Sequence, residues 1–429
     1  MPRQADLWRH ADFLKLWTAQ TVAALSAYVT HLALPLIAAL TLHASPVEMG
    51  LLSTMATLPN IVIGLFAGTL ADRIRRRPLM IAADVARAVL LMSIPVASVF
   101  NLLTIWQLYI VLFLFGIGTT LFDVANVSYL PSLVGREQLI SANSRLVASA
   151  SVAGAIGPGL AGTLLQLLTA PIAVLVDAVS LIVSATLMHT IRAQEPASAP
   201  DHVHGSIWKE IADGLRPLYR DPVLRSIVGS SMIYLFFSSI MLAVYVLYTT
   251  RELAMTPAML GIIYGVGGAG AAVGAVIARG AAQRLGIGTA MIVANLVGGL
   301  VLLLIPLAGT FPAAAALLLG VAQCTSQMMG AIFFINQTSL RQVITPEHLL
   351  GRMNASYRFL TMGTIPLGSL LGGGLGTMIG VRGTVLVGAL GVLFAVLWLV
   401  CSPARTYSAL EVPEHRPEPL AGSSSGATQ

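Results

Sequence analysis

The sequence predicts an all-α polytopic membrane protein: 12 transmembrane helices in two six-helix bundles related by pseudo-two-fold symmetry. Three observations predict it. Of 429 residues, 56% are hydrophobic and 10% charged, against about 25% charged in a soluble domain. The apolar residues gather into twelve runs, each near the ~20 residues a bilayer crossing needs. Polar stretches of the first half also recur about 210 residues later in the second.

The runs lie near 14–41, 48–72, 78–99, 104–131, 140–168, 171–191, 224–250, 257–283, 287–308, 311–340, 352–379 and 383–402. Arg3, Arg9 and Lys15 precede the first. They hold it as an uncleaved anchor, since the run is too long for a signal peptide. With the N-terminus placed in the cytoplasm, 22 of the 24 Lys and Arg fall on that side, and the exceptions are Arg251 and Arg382. That is the positive-inside pattern. The net charge of +6 therefore reads as topology and attraction to anionic lipid, not nucleic-acid binding. The expected location is a bacterial plasma (inner) membrane, multi-pass, with both termini cytoplasmic.

Residues 1–191 form the expected N-terminal bundle and 224–403 the C-terminal one. Between them, 192–223 reads as a cytoplasmic linker. It is polar and Pro-containing at first. It then places Ile207, Ile211, Leu215 and Leu218 at the spacing of an amphipathic interfacial helix. Residues 404–429 read as a disordered tail. The repeat pairs NVSYLPSLVGREQLISAN (126–143) with NQTSLRQVITPEHLLGRMN (336–354), aligning Asn126 with Asn336 and Glu137 with Glu347. Ala71-Asp72-Arg73 is echoed by Ala282-Gln283-Arg284. Parallel six-span repeats imply an axis along the membrane normal.

Several function classes are excluded. The two lysines, Lys15 and Lys209, sit in no Gly-Lys-Ser/Thr sequence, so no P-loop binds ATP. Cys324 and Cys401 are too few for a disulfide framework or a Cys-based zinc site. GVGGAG (265–270) lies inside an apolar run with no preceding strand, and reads as small residues for helix contact. GSSSG (422–426) lies in the tail, which cannot hold a strained nucleophile. A membrane enzyme needs a catalytic set inside the membrane, and no nucleophile–base pair or metal cluster stands out. The expectation is not an enzyme, with no cofactor and an ion gradient as the energy source.

Eleven residues between the second and third runs carry the sharpest signal: GTLADRIRRRP, Gly68 to Pro78. Gly68, Asp72, Arg73, Arg76 and Arg77 fit the loop-2/3 signature of the major facilitator superfamily, which this chain resembles over nearly its whole length. Arg75 replaces a usual Gly. In span 5, Gly157, Pro158 and Gly162 resemble the antiporter signature, with Ala153 and Ala161 at two glycine positions. FDVANVSYLPSLV, Asn143-Ser-Arg and VDAVSLIVSA look like the drug:proton antiporter branch that includes macrolide-efflux and enterobactin-exporter-like proteins. The resemblance implies alternating access, with export of small amphipathic molecules by proton antiport. The alternative is export of a siderophore or a self-made metabolite. A monomer is the expected state, and membrane lipid and a small-molecule substrate are the expected partners.

The resemblance implies a gate at Gly68, Asp72, Arg73, Arg76 and Arg77, which plain topology would explain only for the arginines. Asp84 and Arg87 lie one turn apart and can pair on one helix face. Proton-coupling candidates are Asp123 in span 4, His31 in span 1 and Asp177 in span 6; a carboxylate in low dielectric can carry a proton, as can a histidine. A structural hydrogen bond is the other reading for each. Drug antiporters often carry an Arg at the place of Leu112, so this chain must handle protons otherwise. Gln20, Ala24, Ala27 and His31 share one face of span 1. Tyr234, Met241 and Tyr245 step along span 7, and Gln323, Gln327, Phe333 and Asn336 along span 10. These are substrate-cavity candidates, because aromatic and Met surfaces adapt to varied apolar ligands. Bundle core is the alternative for each.

Overall fold

The computed structural model describes residues 7–63, 75–192, 216, 218–346 and 349–406. Among them, 12 long helices follow one another: α1 (Ala11–Leu36), α2 (Pro46–Val62), α3 (Arg76–Val99), α4 (Ile105–Val134), α5 (Leu139–Leu167), α6 (Ala170–His189), α7 (Pro222–Leu247), α8 (Pro257–Leu285), α9 (Ile287–Leu302), α10 (Ala315–Ile344), α11 (Leu350–Met378) and α12 (Gly380–Val400). With their terminal turns, 11 are long and apolar enough to cross a membrane. The remaining one, α2, is described over 17 residues; the segment 64–74 beyond it lies outside the described residues. Counted with those terminal turns, the widest disagreement with the apolar runs is the end of the tenth, read at 340 and found at Ile344. There Gln337 and Arg341 extend the helix past its last apolar stretch while staying buried. Most of the linker helix and the tail from 407 onward also fall outside the described residues. Of that helix's stripe, Leu218 is described, and it packs on Leu224, Val228 and Met353.

Side chains at the helix starts take over the orphan amides. Ser45 and Glu48 form a capping box on α2, Thr256 caps α8, and Asp221 accepts from Val223 and Leu224 at the start of α7. Capping matters more here than in water, because hydrocarbon offers no other partner for a backbone N–H.

The packing is two-fold. α1 packs on α5 and α6, α3 on α4 and α6, and α2 on α4. Six helices later α7 packs on α11 and α12, α9 on α10 and α12, and α8 on α10. The halves meet along two seams, α2 with α11 and α5 with α8, which the same symmetry exchanges.

The repeat extends into local geometry that the sequence comparison missed. α1 ends in a π turn at Ile37–Thr41 and α7 in one at Tyr248–Glu252. His43 and Ala254 both take positive φ, 52° and 50°. Ser45-Pro46 and Thr256-Pro257 then open the next helix. Each pair is 211 residues apart. Two like-shaped hairpins thus stand at the same end of the molecule. The opposite end, where most Lys and Arg gather, is the basic end.

Candidate transport site

Among the described residues, the close contacts of both seams lie in the half away from the basic end. On α5 and α8, a Cβ added at Gly162 would stand 2.6 Å from the Gly261 Cα, and one at Gly268 would stand 2.2 Å from the Gly154 carbonyl oxygen. On α2 and α11, a Cβ at Gly50 would stand 2.6 Å from the Ser369 carbonyl oxygen, and Thr54 donates to the Pro366 carbonyl at 3.3 Å. Only glycine permits backbones this close. The GVGGAG string is therefore a packing surface. At the far end Arg251 bridges the halves, donating to the carbonyls of Ala39 at 3.1 Å and Ala44 at 2.9 Å. It belongs to the π turn of the second hairpin and grips the first. Arg382, the other exception to the charge bias, donates to the Pro306 carbonyl at 2.9 Å and to Thr310.

Toward the basic end, described residues of α4, α5 and α11 become exposed. Asn143, Ser144, Val147 and Ser151 of α5, Asp123 and Val127 of α4, and Arg358 of α11 are exposed there. His31 is exposed on α1, on the same face as the half-buried Gln20, whose amide donates to Asn126 Oδ1 at 2.5 Å. Gln327 is exposed and Gln323 half-buried on α10, both against Gly267 of α8; Tyr234 is half-buried on α7.

Four cavity candidates lie elsewhere in this state. Met241 and Tyr245 are buried, because α12 approaches α7 so closely at Gly388 that the Met241 Cβ fills the space. Tyr245 packs against the Tyr264 ring. Phe333 packs in the α7–α9–α10 interior. Asn336 is buried and donates to the Ile332 and Ala278 carbonyls. Helical spacing groups residues into stripes of α7 and α10 but does not tell which part of each stripe a neighbour covers.

Gly157, Pro158 and Gly162 sit where α1, α5 and α8 converge. A Cβ at Gly157 would collide with the Tyr28 ring at 2.5 Å, and the Pro158 carbonyl lies against Gly261. The motif thus fixes α5 between the α1 side of its own bundle and α8 of the other.

A charged network is buried inside the first half. Asp84, 0% exposed, forms an ion pair with Arg87, 7% exposed. Ser184 donates to the other Asp84 oxygen at 2.6 Å. Arg87 also donates to Thr119 at 3.3 Å and lies over the Phe122 and Phe115 rings. Gly118 makes its room, since a Cβ there would stand 2.8 Å from Arg87 Cγ. Asp177, 1% exposed, accepts from Ser26 at 2.8 Å, Thr30 at 2.5 Å and Ser180 at 3.3 Å. Asp123 is within electrostatic reach of Arg87 and, from the other half, of Arg358.

Of the gate candidates, Gly68, Asp72 and Arg73 lie outside the described residues. Arg76 donates to the Ser128 carbonyl at 3.1 Å. Arg77 donates to the carbonyls of Met188 and His189, the last of α6. A cation there complements the negative end of the helix dipole. Both arginines tie α3 to its own bundle. Sequence reasoning missed Arg251, Ser26 and Thr30, and also Arg341, which is buried with its guanidinium 3.5 Å from the centre of the Tyr357 ring. The sign of Arg251 was readable: it is a cation on the side that the charge bias leaves nearly bare.

Residues 5–424 match the family described as transmembrane secretion effector. The chain belongs to that family, a branch of the major facilitator superfamily. It is a multi-pass membrane transporter, not an enzyme. Among its relatives, the multidrug efflux pump Tap of Mycolicibacterium fortuitum is 26% identical over 80% of this chain and 84% of its own. The enterobactin exporter EntS of Citrobacter koseri is 26% identical over 86% of each chain. The macrolide efflux protein A of Streptococcus pyogenes is 23% identical over 52% of this chain, which spans 55% of that relative's length. A bacterial homologue of the iron transporter ferroportin shares the fold at 17% identity. In its inward-facing state it superposes with a TM-score of 0.73 over 92% of this chain and 98% of its own. In its outward-facing state the TM-score is 0.55 over 91% and 98%.

Proposed function

We propose that this facilitator exports small amphipathic molecules from a bacterial cell in exchange for protons. The observation that carries the reading is the one-sided closure. Among the described residues the close contacts between the bundles lie at the end away from the basic face, while Gln20, His31, Gln323 and Gln327 are exposed or half-buried on helices bordering the gap between them. With the basic end and both termini in the cytoplasm, as the positive-inside rule requires, this is the cytoplasm-open member of an alternating-access pair. The drug, macrolide and enterobactin relatives all carry cargo outward by name. The polar but uncharged central lining suits neutral or singly charged amphipathic cargo. The chain works as a monomer in anionic lipid, uses the proton gradient and needs no cofactor.

Closing the cytoplasmic side requires the basic ends to meet. Asp123 and Arg358 are opposite charges on the two halves and form one contact of that closed gate. Asp72 forms another, so Asp72→Asn is expected to leave membrane expression intact and cut transport severely. Unchanged transport would remove Asp72 from the gate. The reading is tested by efflux of macrolides and cationic dyes from a drug-hypersensitive bacterium, with and without a protonophore. Protonophore-sensitive efflux above the vector control is the expected result. Efflux indifferent to the protonophore rejects proton antiport. The EntS relative, matched over 86% of its length, favours a second reading. Cells that clear no drug but release a catecholate siderophore when the protein is present would establish it.

A further inference from the structure

Resting on the proton-antiport reading, we propose that Asp177 is the residue that takes up and releases the exchanged proton, and that Arg87, a guanidinium shared by three carboxylates, governs its release. Asp84, Asp123 and Asp177 all lie within electrostatic reach of Arg87. Asp84 holds it as an ion pair. Asp123 is exposed and has Arg358 as a second cation. Asp177 is 1% exposed, and its side-chain partners among the described residues are the hydroxyls of Ser26, Thr30 and Ser180. An ionised carboxylate with no cation of its own is the costliest group in a membrane interior. In this state Asp177 is therefore a neutral acid.

Ser26, Thr30 and Ser180 carry hydroxyls, which donate or accept as needed. A carboxyl held by three of them can lose or regain its proton without orphaning a buried hydrogen-bonding atom. Backbone N–H donors would instead favour one form only.

Asp177 and Ser184, the partner of Asp84, are seven residues apart on α6, about 10 Å along its axis. The two acids thus stand at different depths on one polar ladder. Ser26 and Thr30 sit on α1, whose neighbouring face carries Gln20 and His31 toward the opening. The protonation state of Asp177 therefore acts on the helix that lines the cargo path. The other titratable groups are few. α1 adds His31, on the cavity face. α3 adds Asp84 and Arg87, and α4 adds Asp123 through Arg87. α5 contributes only Arg145, near its basic end. The 211-residue offset that relates the hairpins carries Asp84 of α3 to Asn295 of α9, hydrogen-bonded to Ser230, and Asp177 of α6 to Gly388 of α12. The second half offers an amide and a glycine where the first offers acids, so the proton chemistry belongs to one half.

In release, the Asp177 O–H bond breaks and the proton passes to water on the cytoplasmic side. The carboxylate left behind gains Arg87 as its cation while Asp123 turns to Arg358 in the closing gate. In uptake, a hydronium ion from outside gives up a proton to the Asp177 carboxylate and leaves water.

Infrared pH-difference spectroscopy on the purified full-length protein in liposomes tests this without any substrate. The wild type is expected to show the carbonyl band of a protonated carboxyl, lost on alkalinisation, and D177N is expected to lack it. The same titrating band in D177N would overturn the assignment. Thr30→Val keeps the acid and covers the case in which D177N does not insert; it is expected to move the pH at which the band disappears, and an unmoved band would count against Asp177. Cell efflux separates this inference from the reading it rests on. Wild-type efflux that ignores a protonophore rejects antiport itself. Protonophore-sensitive efflux retained in D177N rejects only Asp177.

Discussion

At the residue scale, the first half is organised around one buried cation. Arg87 meets Asp84, Thr119 and two aromatic rings in space that Gly118 leaves open. Breaking a buried pair from one side leaves the other charge uncompensated and costs about 3–5 kcal/mol. Arg87→Gln is therefore expected to lower the melting temperature in detergent markedly, and Asp84→Asn in the same background should recover part of the loss by removing the stranded charge. No recovery in the double variant would mean that Arg87 stabilises through packing rather than charge. The Asp84–Arg87 pair was legible in the sequence because two charges one turn apart in an apolar run have few other ways to be satisfied. The Asp177 cage was not. Its donors Ser26 and Thr30 are 151 and 147 residues away in the chain, and a hydroxyl on a transmembrane helix bonds its own backbone as often as another helix.

At the element scale, what matters is which helix faces touch between halves. The twelve runs were legible because a bilayer imposes their length and apolarity. The seams were not, because small residues recur on nearly every helix here and only the fold shows which of them meet. Gly162 and Gly261 meet across the seam, whereas Gly267, Gly270 and Gly274 face α10 within one half. Gly162→Val is expected to press against the α8 backbone, at a cost of about 1–3 kcal/mol to the closed arrangement. Arg251→Ala removes two hydrogen bonds from a charged donor, each worth about 1.5–3 kcal/mol. Since ~1.4 kcal/mol is tenfold, either variant should shift the population toward the opposite-facing state by about tenfold or more. Spin-label distances across the far end, between the two hairpins, should lengthen. Unchanged distances would mean that the latch is incidental to closure.

At the scale of the whole molecule, a symmetric frame carries an asymmetric site. The helix contacts of one half repeat in the other, and the hairpins repeat down to their positive-φ residues. The buried acids do not repeat: Asp84 and Asp177 lie in the first half, and the same offset puts Asn295, bonded to Ser230, and Gly388 in their places in the second. In the proposed antiport, symmetry lets the two halves rock about a common axis, and the asymmetry gives one half the proton and leaves the other to shape the cargo cavity. Part of the candidate site was visible beforehand for the same reason, since charges inside apolar runs are conspicuous, while packed residues such as Met241, Tyr245 and Phe333 look like cavity residues until the neighbouring helix is known.

The most direct test of the account uses everted membrane vesicles loaded acid inside, with a dye that whole cells have been shown to expel. Dissipating the pH gradient should stop accumulation of the dye, and reimposing it should restore accumulation. Accumulation that continues after the gradient has collapsed would contradict proton-driven export by this chain.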